Sequence, residues 1–278
     1  MQNGIVAIVV VVALPPLALT GLLFLGPRSS SLTTSVLGEH AGRCQEYIFE
    51  RRSNTLQYFL ISLVLSAVGV YFTFLRPLII PGSPLARDYP AAFHGSVMLT
   101  FLTLAFLHVT GPQVINKKNV KDYVAAYGVM TAQDSQDSVV MCTTCEIPRV
   151  VGSHHCRICG KCIANFDHHC VWINGCVARA NFIPFVAFLV SSTGLAGIFS
   201  VLCFKLTTQE LTRYGVDRSW IREAESSFRP ISKFECFFWC LNWYPVVVSV
   251  GLFSGVVTLV LAGFTLFSAA GRYTRSRH

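Results

Sequence analysis

Residues 182–204, FIPFVAFLVSSTGLAGIFSVLCF, run for a bilayer's thickness without one Asp, Glu, Lys or Arg. Crossing the hydrocarbon core takes about 20 apolar residues. No water is there to satisfy backbone N–H and C=O groups, so such a segment must be a helix. Four more stretches read the same way: Gly4–Gly26, Leu56–Leu75, Ala91–Thr110 and Trp243–Phe267. The first has no basic region before it and no small-residue cleavage site after it, so we read it as a retained span, kinked at Pro15–Pro16. His94 and His108 fall in the third, where interfacial or interhelical hydrogen bonding is expected of them. Phe237, Phe238, Trp239, Trp243 and Tyr244 flank the fifth as an interfacial belt. The expected fold is therefore an all-α, multi-pass integral membrane protein with about five transmembrane helices, four at the least.

Composition agrees. Charged residues make up 13% of the chain, against about 25% in soluble domains. The net charge of +8 is scattered between apolar spans. That suits anionic lipid or an anionic substrate and argues against nucleic acid. Segments 27–55, 111–181 and 271–278 share one side of a five-span layout and hold 14 of the 22 Lys and Arg. The positive-inside rule then puts them in the cytosol. The expected organisation is three spans within 1–110 with a cytosolic loop at 27–55. A cytosolic cysteine-rich domain follows at 111–181, then two spans in 182–270 and a short basic cytosolic tail at 271–278.

Seven of the eleven cysteines lie between Cys142 and Cys176. C-x-x-C pairs beside histidines mark thiolates held by metal in a reducing compartment, not a disulfide scaffold. Cys44, Cys203, Cys236 and Cys240 read as structural, with pairing or lipidation of Cys236 and Cys240 left open. The cluster offers eleven soft ligands: Cys142, Cys145, Cys156, Cys159, Cys162, Cys170, Cys176, His154, His155, His168 and His169. Two closed tetrahedral zinc sites use about eight, which leaves three over. A purely structural pair of zinc fingers is the bland reading. Against it, Asp167, His168 and Cys170 have the types needed to make a nucleophile. The thiolate is the reactive form, a histidine can take its proton, and a carboxylate can fix that histidine's tautomer. A metal-bound thiolate is a stabilised ligand and a poorer nucleophile, so the candidate is a cysteine left unliganded.

The run C-x2-C-x9-H-C-x2-C-x2-C-x4-D-H-H-C-x-W-x3-C, from Cys142 to Cys176, resembles the DHHC-type protein S-acyltransferases, the palmitoyltransferase family. The resemblance reaches to about Asn181 and includes the multi-span surroundings. It implies a two-step reaction from acyl-CoA, the co-substrate, through an acyl thioester on Cys170, to cysteines near the membrane on client proteins. His168 would be the base and Asp167 its orienting partner. One structural Zn2+ would take Cys142, Cys145, His155 and Cys162. The other would take Cys156, Cys159, His169 and Cys176. Arg149, Arg157, Lys161 and Arg179, with Trp172, are candidates to contact CoA. An endomembrane site, Golgi or ER, is favoured. The alternatives are a weak or inactive membrane-anchored zinc-binding adaptor and a membrane-bound RING-like ligase. The ligase would have no use for a ninth cysteine-type ligand or for Asp167. The chain departs from the family at Val171, where proline is usual, at Gly152, where arginine is usual, and at Gly175, where asparagine is usual. Thr207–Glu210 spells the family's T-T-x-E but follows the first span after the motif instead of the second, so we read it as coincidence.

Overall fold

The computed structural model describes residues 53–132, 135–224 and 227–275. The expected span Gly4–Gly26 and Cys44 lie outside them. Helix α1 is Thr55–Val70, α2 Pro84–Thr110, α3 Val120–Tyr127, α4 Phe182–Arg213, α5 Lys233–Trp243 and α6 Pro245–Arg275. Strands are short: β1 Val114–Ile115, β2 Thr131–Ala132, β3 Ser135–Val139, β4 Met141–Cys142, β5 Ile147–Pro148, β6 His154–Cys156, β7 Lys161–Ile163, β8 Phe166–Cys170, β9 Gly175–Ala178, β10 Trp220–Ala224 and β11 Ser227–Pro230. Among the described residues, four helices are long and apolar enough to cross a membrane: α1 with its extension to Leu78, α2, α4 and α6. The protein is an integral membrane protein of mainly helical fold, and the Cys/His-rich region between α2 and α4 is built of hairpins.

Element ends differ from expectation for local reasons. A proline at 77 would clash with the carbonyl four residues back in an α-helix. The chain widens to a π turn over Tyr71–Leu75 and tightens to a 3-10 turn over Arg76–Leu78. Helix α2 starts at Pro84, where a first-turn proline loses no bond, and runs on through Pro90. Helix α4 continues past Phe204 to Arg213 and α6 continues to Arg275, because the polar residues there still suit a helix that has left the hydrocarbon.

Contacts divide the chain into two compact units. One comprises 64–102 and 186–275 of the described residues. Its core holds Tyr71, Leu75, Phe93, Phe199, Leu202, Leu206 and Val247, with Tyr71 stacked on Phe93 at 4.2 Å between ring centres. A Cβ at Gly251 would stand 2.7 Å from the Cys203 Cβ, and one at Gly255 3.1 Å from the Ser200 Oγ. Small residues thus let α4 and α6 approach closely, and the Ser200 hydroxyl donates to the Gly251 carbonyl at 3.0 Å. His94 packs against the Tyr71 and Phe72 rings. Glu210, in the TTQE run on α4, is fully buried and accepts from the Tyr244 hydroxyl at 2.7 Å.

The other unit comprises 53–63 and 103–185. There His108 makes the interhelical bond expected of it: its Nδ1–H donates to the Leu104 carbonyl at 2.8 Å, and Nε2 accepts from Gln57 at 2.9 Å. Strands β1, β7 and β6 form a three-stranded antiparallel sheet, while β4–β5 and β8–β9 are separate hairpins. The core here is meagre in aliphatics. Cys142 and Cys162 are buried with Ile115, Ile147 and Val150, and Cys156 and Cys176 with Ile163 and Ala178. Four of the metal-type cysteines do the work that large apolar side chains do in a bigger domain.

Candidate active site

Two tight turns present the first cysteines. In Cys142–Glu146 the Glu146 N–H donates to the Cys142 carbonyl at 2.8 Å, and in Cys156–Gly160 the Gly160 N–H donates to the Cys156 carbonyl at 2.9 Å. Each turn ends left-handed, with φ of 52° at Glu146 and 64° at Gly160. Glycine takes that conformation freely, and glutamate is strained in it. Strand pairing supplies the rest. Register sets His155 opposite Cys162 in β6–β7 and His169 opposite Cys176 in β8–β9.

The result is two groups: Cys142, Cys145, His155 and Cys162, and Cys156, Cys159, His169 and Cys176. The candidate ligand atoms of each lie within 4.8 Å of one another, and either group could hold a metal ion. A tetrahedral zinc with ordinary Zn–S and Zn–N lengths puts S and N about 3.6 Å apart and two sulfurs about 3.8 Å apart. His155 Nδ1 stands 3.5, 3.3 and 3.7 Å from the Cys142, Cys145 and Cys162 sulfurs. His169 Nδ1 stands 3.5, 3.4 and 3.6 Å from those of Cys156, Cys159 and Cys176, and the Cys159 and Cys176 sulfurs are 3.5 Å apart. The donor geometry fits zinc. Burial, then the neighbouring thiols, push the Cys162 and Cys176 thiols well above the usual range. Ionising such a cluster needs a central cation.

Alternation along β8 separates the two adjacent histidines. Successive strand residues point to opposite faces. His169 turns to the metal-type group, so His168 and Cys170 share the other face. In a regular strand Asp167 would point away from His168. A bulge between Phe166 and His168 breaks that register, and such a bulge re-aims a side chain. The Asp167 Oδ2 lies 2.9 Å from the His168 Nδ1. Hydrogen bonding assigns that proton to Nδ1. The His168 Nε2 is buried and has no hydrogen-bond partner, and Phe185 packs edge-on against the ring at 5.3 Å.

Cys170 belongs to neither group and is buried at 8% exposure. Burial raises its thiol pKa, while the backbone N–H groups of Trp172 and Ile173 pull the other way. The turn after it closes with Asn174 left-handed, at φ 45°, a conformation asparagine tolerates. Asn174 Nδ2 donates to the Asn54 Oδ1 at the head of α1. Gly175 sits in β9 with an ordinary φ, so the usual asparagine has its equivalent one residue earlier. Gly152 has φ 74°, and a Cβ there would press on the Asn165 Oδ1 at 3.3 Å. The turn requires the glycine that replaces arginine.

Two further side chains complete the site: Asn181, to which the family resemblance reaches, and Phe185. Asn181 is buried; its Oδ1 accepts from the Ala178 N–H at 2.8 Å, and its Nδ2 donates to the Cys176 carbonyl at 3.0 Å. It joins β9 to the first turn of α4. Phe185, one helical turn further on, gives no sequence signal as a ring partner for His168. The expected CoA-contacting residues stand on separate elements. Arg157 and Lys161 are exposed at the two ends of one cysteine turn, Arg179 is exposed ahead of α4, and Trp172 is exposed beside Cys170. The Arg149 Nε is buried and unpartnered. His154 stacks on Phe166 at 5.0 Å, outside both groups.

A family model for the DHHC palmitoyltransferase domain matches residues 135–278. Palmitoyltransferase ZDHHC4 of Rattus norvegicus is 36% identical over 110 residues, 38% of this chain and 30% of that protein. Palmitoyltransferase ZDHHC23-A of Danio rerio is 28% identical over 219 residues, 70% of this chain and 51% of that protein. Palmitoyltransferase erf2 of Emericella nidulans is 52% identical over 58 residues, 21% of this chain and 10% of that protein. The chain thus spans about half, or less, of the length of the relatives it matches. With more than half of its residues under the family model and the motif assembled around Cys170, the chain belongs to the DHHC palmitoyltransferase family.

Proposed function

We propose that this chain is a protein S-palmitoyltransferase that moves a fatty acyl group, palmitoyl, from acyl-CoA to client cysteines through a thioester on Cys170. The observation that carries this reading is the division of β8: His169 faces a metal-type group, while His168, oriented by Asp167 with an unpartnered Nε2, shares the opposite face with Cys170.

In the first step the His168 Nε2 takes the Cys170 proton as the sulfur attacks the acyl carbonyl. The Asp167 carboxylate stabilises the imidazolium that forms. The bond from carbonyl carbon to CoA sulfur breaks, and His168 returns the proton to the departing CoA thiolate. The second step repeats this with a client thiol as nucleophile and Cys170 as leaving group. One thioester replaces another in each step, so no further energy source is needed. Two Zn2+ ions would be held by the two groups of four and would supply structural cross-links. The hairpin, made rigid in this way, would hold Cys170 in position. Arg149, Arg157, Lys161 and Arg179 would meet CoA phosphates, with Trp172 beside the acyl thioester. The Cys/His domain would face the cytosol, as the Lys and Arg bias argues, in an endomembrane, Golgi or ER. The clients would be proteins with juxtamembrane or membrane-proximal cysteines.

Purified protein in lipid, given an alkyne-tagged palmitoyl-CoA, should become labelled. The label should be released by hydroxylamine and discharged onto a membrane-anchored cysteine peptide. Zinc-loaded protein that takes no label would overturn the enzyme reading in favour of the zinc-binding adaptor.

A further inference from the structure

Helix α5 turns its apolar side outward. Phe234, Phe237 and Phe238, at the i, i+3, i+4 spacing of one helical face, are exposed, and Phe234 is bare over 70% of its surface. Their rings touch one another at 4.6 and 5.7 Å. Trp243, the last residue of the helix and one that lies on the Trp239 side, is nonetheless 65% exposed. The opposite side faces the protein: Cys240 is buried, and Trp239 packs against Tyr214, Trp243 and Tyr244. A surface helix in water would be arranged the other way round.

The arrangement is firmly set. Ser232 caps the helix, its Oγ accepting from the Glu235 N–H at 3.3 Å. The Glu235 carboxylate accepts from the Ser232 N–H and from both terminal nitrogens of Arg229 in β11, at 2.9 and 2.7 Å. The β10–β11 hairpin presents a matching face. Register sets Arg222 opposite Phe228, with Trp220 two residues along, and all three are exposed. The Arg222 guanidinium lies over the Phe228 ring at 5.4 Å.

We propose that residues 214–224 and 227–244 form an in-plane module that lies in the headgroup–acyl boundary of the bilayer. Phe234, Phe237, Phe238, Trp220 and Phe228 would insert there, with Trp243 at the same depth where the helix joins α6, and with Arg222 and Lys233 at the phosphates. Connectivity selects lipid as the occupant over a protein partner. The module hangs between the end of one membrane-crossing helix, at Arg213, and the start of another, at Pro245. Only Tyr244 separates Trp243 from that second helix. Its bare face is rich in aromatics beside cations, the mixture that membrane interfaces take up. The proposal reaches beyond the flanking belt of 237–244, because it makes the hairpin and the whole helix part of the membrane surface. It is independent of the acyl-transfer chemistry.

The four tryptophans, Trp172, Trp220, Trp239 and Trp243, make it testable. Full-length single-tryptophan variants, one keeping Trp243 and one keeping Trp220, with phenylalanine at the other three positions, go into phosphatidylcholine vesicles. One set of vesicles carries bromine near the headgroup end of the acyl chain and another near its methyl end. The proposal expects most of the emission of both tryptophans to be lost to shallow bromine, less to deep bromine, and little to aqueous iodide. Strong iodide quenching with no effect of bromine would overturn it, placing the face in water. Protection from both quenchers would also overturn it, placing a second copy of the chain or another protein there. The wild-type protein in the same vesicles checks that the substitutions have not moved the module, since the part of its emission that comes from Trp220 and Trp243 should respond to the same quenchers.

Discussion

At the scale of single residues, two neighbouring histidines face opposite ways. His168 and His169 are adjacent in sequence and separated by the pleat of β8. Replacing His168 by alanine should leave zinc at about two per chain and slow acyl-enzyme formation by roughly 10²-fold or more, the usual worth of a positioned base. Replacing His169 by alanine should lose one zinc and destabilise the domain before any effect on rate can be read. Metal analysis and label kinetics on the same two samples distinguish these outcomes. The residue types were legible from spacing: eleven soft ligands against two zinc sites exposes a surplus. The pairing into groups of four was implied by family resemblance alone. The bulge that turns Asp167 toward His168 carries no sequence mark, because FDHHC lacks the apolar alternation that announces a strand and its register.

Among elements, the junction of β9 with α4 is the most constrained. Asn181 satisfies one backbone N–H and one backbone C=O in a buried place. Asn181→Ala leaves both orphaned, and a buried orphan costs about 1–3 kcal/mol. The variant should show a clear fall in thermal midpoint of the Cys/His domain, with Asn181→Asp less affected, since it keeps the acceptor for Ala178. An equal midpoint for wild type and Asn181→Ala would remove the joint from the account. The long helices were legible because charge-free runs of bilayer length have few other fates. Their ends were not, since α2 tolerates Pro90 and α4 outlasts its apolar run. The two- and three-residue strands escaped notice altogether: they are too short to show a period and exist because cysteine turns bring chain segments side by side. Thr207–Glu210 illustrates the same limit. Its Glu210 is a buried partner of Tyr244, a role that the four letters do not encode.

For the whole molecule, stability is divided by chemistry. The unit containing 186–275 rests on ordinary apolar packing, whereas the Cys/His unit has cysteine thiols where aliphatic bulk would stand. Removing metal with a strong chelator should therefore loosen the hairpins while the membrane helices persist, because metal binding is the folding free energy of such small sites. Hydrogen exchange should rise across 141–178 and stay low across 186–205. Uniform exchange before and after chelation would contradict this division. The membrane fold and the chemistry-bearing segment were both legible in the sequence, one from apolar length and the other from cysteine spacing. The aromatic module between α4 and α6 was visible only as a belt, since the burial of one helix face and the exposure of the other is a tertiary fact.

The central claim is that Cys170 stands outside the metal groups and carries the acyl chain. The most direct test compares wild type, Cys170→Ser and Cys176→Ser for zinc content and hydroxylamine-sensitive label from tagged palmitoyl-CoA, measured in the same preparations. Cys170→Ser should keep about two zinc ions and lose the label, while Cys176→Ser should lose zinc. Loss of zinc from Cys170→Ser, or a thioester label that survives the substitution, would contradict that claim.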